Sequence, residues 1–253
     1  MIETNWRQVN LAFPSSNAHE REHQAVTHLS RVLPDAEAGG LISAWFFIRK
    51  GHWRVRYLPA GPDITGQSVH RLLTQGVEGT GDIYEPEIHA FGGTASMNIA
   101  HRLFHADSHH LLGYLGGSAT GRREMSLILC TALMREAGLE FGEQGDVWAR
   151  VADQRAPLRR EAPAATTWAN FTSNVRELLL GTPRTDDITT WSMAFGQAGR
   201  HLRALRESGQ LTRGIRAVAA QHVIFHWNRM GIRAYGQADL ARAAADAVFG
   251  GID

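Results

Sequence analysis

The apolar positions of the first ninety residues change period several times. Residues 6–13 (WRQVNLAF) partly alternate and run into Pro14-Ser15-Ser16-Asn17, which predicts a strand followed by a turn. Residues 18–33 carry Ala25, Val26, Leu29, Val32 and Leu33 at helical spacing, and Pro34 predicts the end of that helix. Two aromatic and β-branched runs, 41–49 (LISAWFFIR) and 53–58 (WRVRYL), flank Lys50-Gly51-His52 and predict a hairpin. Residues 64–73 read as a helix, and 82–91 as a further strand closed by Gly92-Gly93. From about residue 94 the helical period takes over, with helices expected at 97–114, 123–137, 146–151, 168–180, 191–207, 214–227 and 237–249. Residues 155–165 hold Pro157 and Pro163 among several charges and are expected to be a loop. Strands first and helices later predict an α+β fold: an N-terminal antiparallel sheet with helices, then a mostly helical C-terminal part. One domain over 1–253 is expected, with 1–93 as its α/β part and 94–253 mainly helical.

Composition narrows the partners more than the fold. Hydrophobic residues at 43% and charged residues at 20% are those of an ordinary chain able to bury a core. The net charge of +1 lacks the basic excess that phosphate backbones demand, so no nucleic-acid partner is expected. Cys130 is the sole cysteine and makes no internal disulfide; its apolar surroundings, 125–130, predict a buried, inert thiol. No apolar stretch approaches the ~20 residues of a spanning helix, and the N-terminus lacks a signal-peptide layout. A soluble cytoplasmic protein without a membrane partner is therefore expected. Among 13 histidines, His101, His105, His109 and His110 include spacings of four, which suit a helical metal pair. No metal site is expected, and these histidines read instead as groove-lining donors.

Three ordered segments carry a family likeness. They are Trp45-Phe46-Phe47-Ile48-Arg49 with Trp53-Arg54-Val55-Arg56; Tyr84-Glu85-Pro86-Glu87-Ile88-His89-Ala90-Phe91-Gly92-Gly93 running on to Leu103-Phe104-His105-Ala106-Asp107-Ser108; and 222–231 (HVIFHWNRMG). Taken in this order, over roughly residues 40–235, the chain resembles the thiopeptide-type bacteriocin biosynthesis family, relatives of the C-terminal elimination domain of lantibiotic dehydratases. The resemblance implies one of two chemistries on a ribosomally made peptide. One is elimination of glutamate from glutamylated Ser or Thr, leaving a dehydroamino acid. The other is pyridine synthesis, a formal aza-Diels–Alder joining of two dehydroalanines with loss of water and leader peptide. It implies no metal and no organic cofactor. The implied partner is a precursor peptide, comprising leader and dehydroalanine-containing core, and the resemblance allows association with dehydratase proteins.

The same resemblance directs attention to particular residues. Arg54 and Arg56 lie two apart on a strand and share a face, a poor structural choice unless they meet anions or carbonyls. The matching arginines of eliminating relatives help to hold the glutamyl group; a solvated strand face is the plain alternative. His222, His226 and Arg229 share one helical face at spacings of four and three. In eliminating relatives the histidine matching His226 is required for glutamate loss, and histidine both takes and gives protons near neutrality; a histidine buried among Phe225 and Trp227 and satisfied by a hydrogen bond is the plain alternative. Tyr84 and Glu87 are expected on an edge strand interrupted by Pro86, the phenol polarising an iminol and the carboxylate acting as base. The expected catalytic set is thus His226, Tyr84, Glu87 and Arg229. Arg54, Arg56, Ser108, Asn228 and His222 are expected to contact substrate, although capping of a helix is the plainer use of Ser108.

One departure separates the two chemistries. Eliminating relatives carry an arginine immediately before the aromatic residue that precedes the Gly-Gly pair, and this chain has Ala90 there. Loss of a cation weakens a site for departing glutamate but not one that joins alkenes. A leader-dependent pyridine synthase is therefore the leading expectation. Glutamate elimination is the first alternative and a non-catalytic precursor-binding module the second.

Overall fold

In a computed structural model of the chain, which describes residues 5–61, 66–117, 119–158, 164–181 and 186–250, the α+β order is as expected. The described elements are β1 (Arg7–Ala12), α1 (Ala18–Ala38), β2 (Ile42–Lys50), β3 (His52–Pro59), α2 (Gly66–Leu73), β4 (Glu78–Asp82), α3 (Thr94–Gly116), α4 (Arg122–Glu136), α5 (Phe141–Arg155), α6 (Ala165–Leu180), α7 (Asp186–Glu207), α8 (Ile215–Met230) and α9 (Ala234–Phe249), with a 3-10 turn at Ala156–Leu158. Residues 64 and 65 of the expected second helix, and 159–163 of the expected loop, lie outside the described residues. Two compact units are present: Met1–Pro86 with Phe104–Thr120, and Glu87–Leu103 with Gly121–Asp253.

The first unit is built on an antiparallel sheet in the order β2-β3-β1-β4. Alternation in β3 buries Trp53, Val55 and Tyr57 and turns Arg54 and Arg56 to the other face. The hairpin turns at Gly51, whose φ of 78° is the left-handed conformation that glycine adopts without a Cβ clash. β2 is a sheet edge, and α3 covers it. Ser108 Oγ accepts from the Phe47 amide at 3.4 Å, and His105 Nδ1 lies 3.1 Å from the Trp45 amide and 2.9 Å from its carbonyl oxygen. An edge whose amides meet side chains is closed to pairing with other chains. Helix α1 starts at Asn17, whose Oδ1 accepts from the His19 and Glu20 amides, a cap worth about 1 kcal/mol.

Two expectations are corrected here. Pro34 does not end α1, which continues to Ala38. The proline ring is on the solvent side, where a lost hydrogen bond is tolerated, while Val32, Leu33 and Ala36 keep the buried stripe unbroken. Nor do residues 82–91 form a strand. The fourth strand lies earlier, at Glu78–Asp82, pairing with β1 despite its two glycines. It stops at Asp82 because that carboxylate bonds the Ile83 amide and accepts from Gln8 and Asn10, and Pro86 has no N–H with which to continue a ladder.

The second unit is a helical assembly around α8. Helix α8 packs on α4, α5 and α7, and α9 packs on α5 and α6. Its burial runs nearly all round, from Ile215 through Trp227 to Met230, as expected of a helix with no wide polar stripe. Trp227 stacks on Trp148 of α5 at 6.0 Å and donates its indole N–H to Ser126 Oγ of α4. α5 is longer than its apolar pattern predicts, because Glu143 reaches back to the Glu140 amide at 3.0 Å and starts the helix ahead of Gly142 and Gly145. Among the described residues no helix is long and apolar enough to cross a membrane.

Candidate active site

In the first unit, Arg56 sits inside an aromatic and amide frame. Its Nε donates to Gln8 Oε1 at 2.8 Å, across the β1–β3 pair in which the two residues face each other. The guanidinium carbon stands 4.3 Å from the centroid of the Tyr84 ring and 5.4 Å from that of Phe46. Trp6 meets both rings edge-on, at 5.2 Å from Phe46 and 6.3 Å from Tyr84. Gln8 also donates from Nε2 to Asp82 Oδ2 at 2.8 Å, so the frame continues into β4. Hydrogen bonds from Asn10 and the Ile83 amide hold the Asp82 carboxyl below its ordinary value. A guanidinium held over a ring and hydrogen-bonded at Nε is preorganised for a planar pair of oxygens, and loses less rotamer entropy on binding one. Tyr84 is buried, and it stands in the connection after β4 rather than on an edge strand. Arg54, half-buried, pairs in register with Asn10 of β1 and Ile48 of β2. Ser108 is fully buried and its hydroxyl is spent on the β2 edge.

In the second unit, α8 carries the other candidates. His222, His226 and Arg229 are all buried, the last two completely. His226 lies against the rings of Phe195 at 5.0 Å and Trp191 at 6.2 Å, both on α7. His222 meets Phe91 at 5.0 Å, and burial, helped by the positive charge of Arg229, pushes its pKa down to about 3. His222 is therefore a neutral imidazole throughout the physiological range. Asn228 accepts from Gln237 Nε2 at 3.1 Å, and exposed Glu87 accepts from Gln221 Nε2 at 2.8 Å.

The Gly92-Gly93 turn anchors this part of the chain. Both glycines have positive φ, 82° and 112°, and a Cβ on Gly92 would stand 3.0 Å from Val218 of α8. The Thr212 amide donates to the Gly92 carbonyl at 3.0 Å, and Arg213 Nη1 donates to the Ala90 carbonyl at 2.8 Å. Sequence reasoning passed over Arg213, since nothing in its spacing marks it as a neighbour of position 90. A groove of about 810 Å³ between α4 and α6, lined in part by Arg123, Phe171, Asn174 and Leu240, includes none of the nine expected residues.

A third constellation also escaped sequence reasoning. Glu37, at the end of α1, joins His105 and His109 of α3, with one ligand-capable atom from each lying within 4.8 Å of the others. The His109 pKa is lowered, by burial first and then by His105, against the opposing pull of Glu37. The two histidines were visible as a spacing of four; their carboxylate is far away in the sequence.

With sheet, hairpin and helical assembly in place, the chain falls in the class of α+β proteins whose antiparallel sheet precedes a helical C-terminal part. Residues 6–248 match the model of the lantibiotic biosynthesis dehydratase C-terminal family, and the chain belongs to that family. Three solved structures share the fold. TsrL superposes with a TM-score of 0.68 at 14% identity, over 96% of this chain and 93% of its own. The pyridine synthase TbtD from thiomuracin biosynthesis gives 0.61 at 14%, over 96% and 97%. The tRNA-dependent lantibiotic dehydratase MibB from Microbispora sp. 107891 gives 0.64 at 20%, over 99% of this chain, which spans 28% of that protein's length. A comparison with curated proteins finds no match.

Proposed function

We propose that the chain is a leader-peptide-dependent pyridine synthase. Its substrate is a ribosomal precursor peptide carrying two dehydroalanines. One dehydroalanine, with the adjoining amide as its iminol, supplies a 2-azadiene, and the other supplies the alkene. Two carbon–carbon bonds form and give a six-membered ring bearing the hydroxyl; water leaves, then the leader as its amide, and the ring becomes a pyridine. Most of the acceleration comes from holding two distant alkenes together, a gain of up to ~7–11 kcal/mol for well-oriented groups.

The residue roles are assigned as follows. Arg56, fixed against Tyr84 and by Gln8, binds peptide carbonyls or carboxylates, with Arg54 beside it on the same face. The Tyr84 hydroxyl is assigned the hydrogen bond to the iminol. His226 is assigned proton transfer as the amide tautomerises and as water and leader depart, with Arg229 one turn on along α8 and Glu87 as a second base. Asn228 and His222, on the same helix, are assigned contacts to the substrate, His222 in its neutral form. Ser108 is left to its hydrogen bond with the sheet edge.

The observation that carries the choice of reaction is Ala90: no cationic side chain extends from this position toward a departing glutamate. One observation favours glutamate elimination instead. Arg213 brings a guanidinium to the Ala90 carbonyl, so a cation reaches the neighbourhood from another part of the chain. The two readings separate when the chain is given, in parallel, a glutamylated precursor and a precursor with two dehydroalanines. Pyridine synthesis predicts consumption of the second alone. Release of glutamate from the first, with the second returned intact, assigns the chain to elimination.

A further inference from the structure

The cluster of Glu37, His105 and His109 lies outside the chemistry above, yet its parts are arranged as a coordination site. His105 and His109 are one helical turn apart on α3 and their rings meet edge-to-face at 4.6 Å. Between them, the Glu37 carboxylate places Oε1 3.4 Å from His105 Nε2 and Oε2 3.0 Å from His109 Nε2. Donor atoms around a tetrahedral zinc ion, each about 2 Å from the metal, stand roughly 3.3 Å apart, close to the two carboxylate–imidazole separations.

Two of the three donors also have outer partners. His105 Nδ1 lies 2.9 Å from the Trp45 carbonyl oxygen and 3.1 Å from its amide nitrogen; in the tautomer whose Nδ1–H donates to the carbonyl, the Nε2 lone pair is turned toward Glu37. The Trp45 indole N–H donates to Glu37 Oε2 at 3.0 Å, orienting the carboxylate from a fully buried ring. Backbone carbonyls that fix a histidine tautomer and donors that hold a ligating carboxylate are the usual outer partners of a metal. The three donor side chains remain partly open to solvent, at 25, 31 and 39% exposure for His105, Glu37 and His109. That leaves an entry path and a vertex for water.

We infer that Glu37, His105 and His109 bind one divalent transition-metal ion of the zinc class, with water completing the shell. Two imidazoles and one carboxylate suit zinc and its neighbours and disfavour magnesium or calcium, which take oxygen ligands. The bound ion ties the C-terminal end of α1 to α3 where α3 covers the β2 edge. The site is independent of the reaction assigned above.

The test uses the full chain, stripped with a chelator and titrated with zinc alone against a chromophoric competitor. Cobalt(II) serves as a second probe, read by its visible absorption. One zinc per chain is expected, together with a tetrahedral or five-coordinate cobalt spectrum. His109→Ala, at the most exposed ligand, is expected to weaken binding at least ~100-fold. Trp45→Phe, which leaves all three ligands in place, is expected to weaken it about 10-fold through the loosened carboxylate. Glu37→Gln keeps an acceptor for Trp45, so it should fold like the parent in thermal unfolding and yet lose zinc. Absence of stoichiometric binding overturns the inference. So does binding that survives unchanged in both Glu37→Gln and Trp45→Phe, which reduces the site to a surface histidine pair.

Discussion

The Arg56 guanidinium carbon lies over the ring of Tyr84, 4.3 Å from its centroid, although the two residues come from β3 and from the connection after β4. The stacking and the Gln8 hydrogen bond fix a planar cation, and lysine reproduces neither. Arg56→Lys is therefore expected to raise KM for the precursor peptide about tenfold, roughly 1.4 kcal/mol of lost binding, with a much smaller change in kcat. Steady-state kinetics of the two proteins measure the split. An unchanged KM removes Arg56 from substrate binding.

His226 is fully buried against Trp191 and Phe195, so truncation to alanine confounds chemistry with a cavity. His226→Gln keeps most of the volume and a polar end while removing the titratable ring. Loss of proton transfer is expected to lower kcat about 10²- to 10⁴-fold with peptide affinity unchanged. Full activity in this variant removes His226 from the proton transfers.

The buried imidazole of His222 makes stability depend on pH in a set direction. Its pKa is about 3 in the folded chain, against about 6.5 when unfolded, so between these values the unfolded state binds more protons. Its contribution is complete above about pH 6.5 and is lost as pH falls toward 3, by about 1 kcal/mol per pH unit. His28, His109 and His110 are shifted the same way, but they remain in a His222→Leu variant and cancel from the difference. Urea unfolding of both proteins from pH 7 to 4 should show the parent losing stability faster. Parallel curves contradict a buried neutral His222.

Helices α4 and α7 meet through Gly199. A Cβ added there would stand 2.3 Å from the Leu133 carbonyl oxygen and 2.9 Å from the Ala137 amide nitrogen, both backbone atoms that cannot turn aside. Gly199→Ala is expected to cost about 1–3 kcal/mol by overpacking, despite alanine's better helix propensity. A stabilised variant in urea unfolding contradicts so close a crossing.

The elements legible in the sequence were those whose period matched their burial. The hairpin around Gly51 and the long α3 follow directly from aromatic, β-branched and apolar spacing. β4 was not legible, since Glu78-Gly79-Thr80-Gly81-Asp82 has almost no β propensity and is held by backbone pairing to β1. Pro34 misled for a related reason: a proline is weighed by the hydrogen bond it removes, and on an exposed helix face that loss is small. For the candidate site, strand alternation correctly put Arg54 and Arg56 on one face, and helical spacing put His222, His226 and Arg229 together on α8. Contacts between distant segments carried no sequence signal. Gln8 beneath Arg56, Arg213 at Ala90 and Glu37 between two histidines exist only once the chain has folded.

The most direct measurement gives the chain a leader-bearing peptide with two dehydroalanines and follows both products by mass spectrometry. Pyridine synthesis predicts equimolar macrocycle and leader amide, the macrocycle lighter than its substrate by the leader amide and one water. A peptide that binds and is returned unaltered contradicts the account.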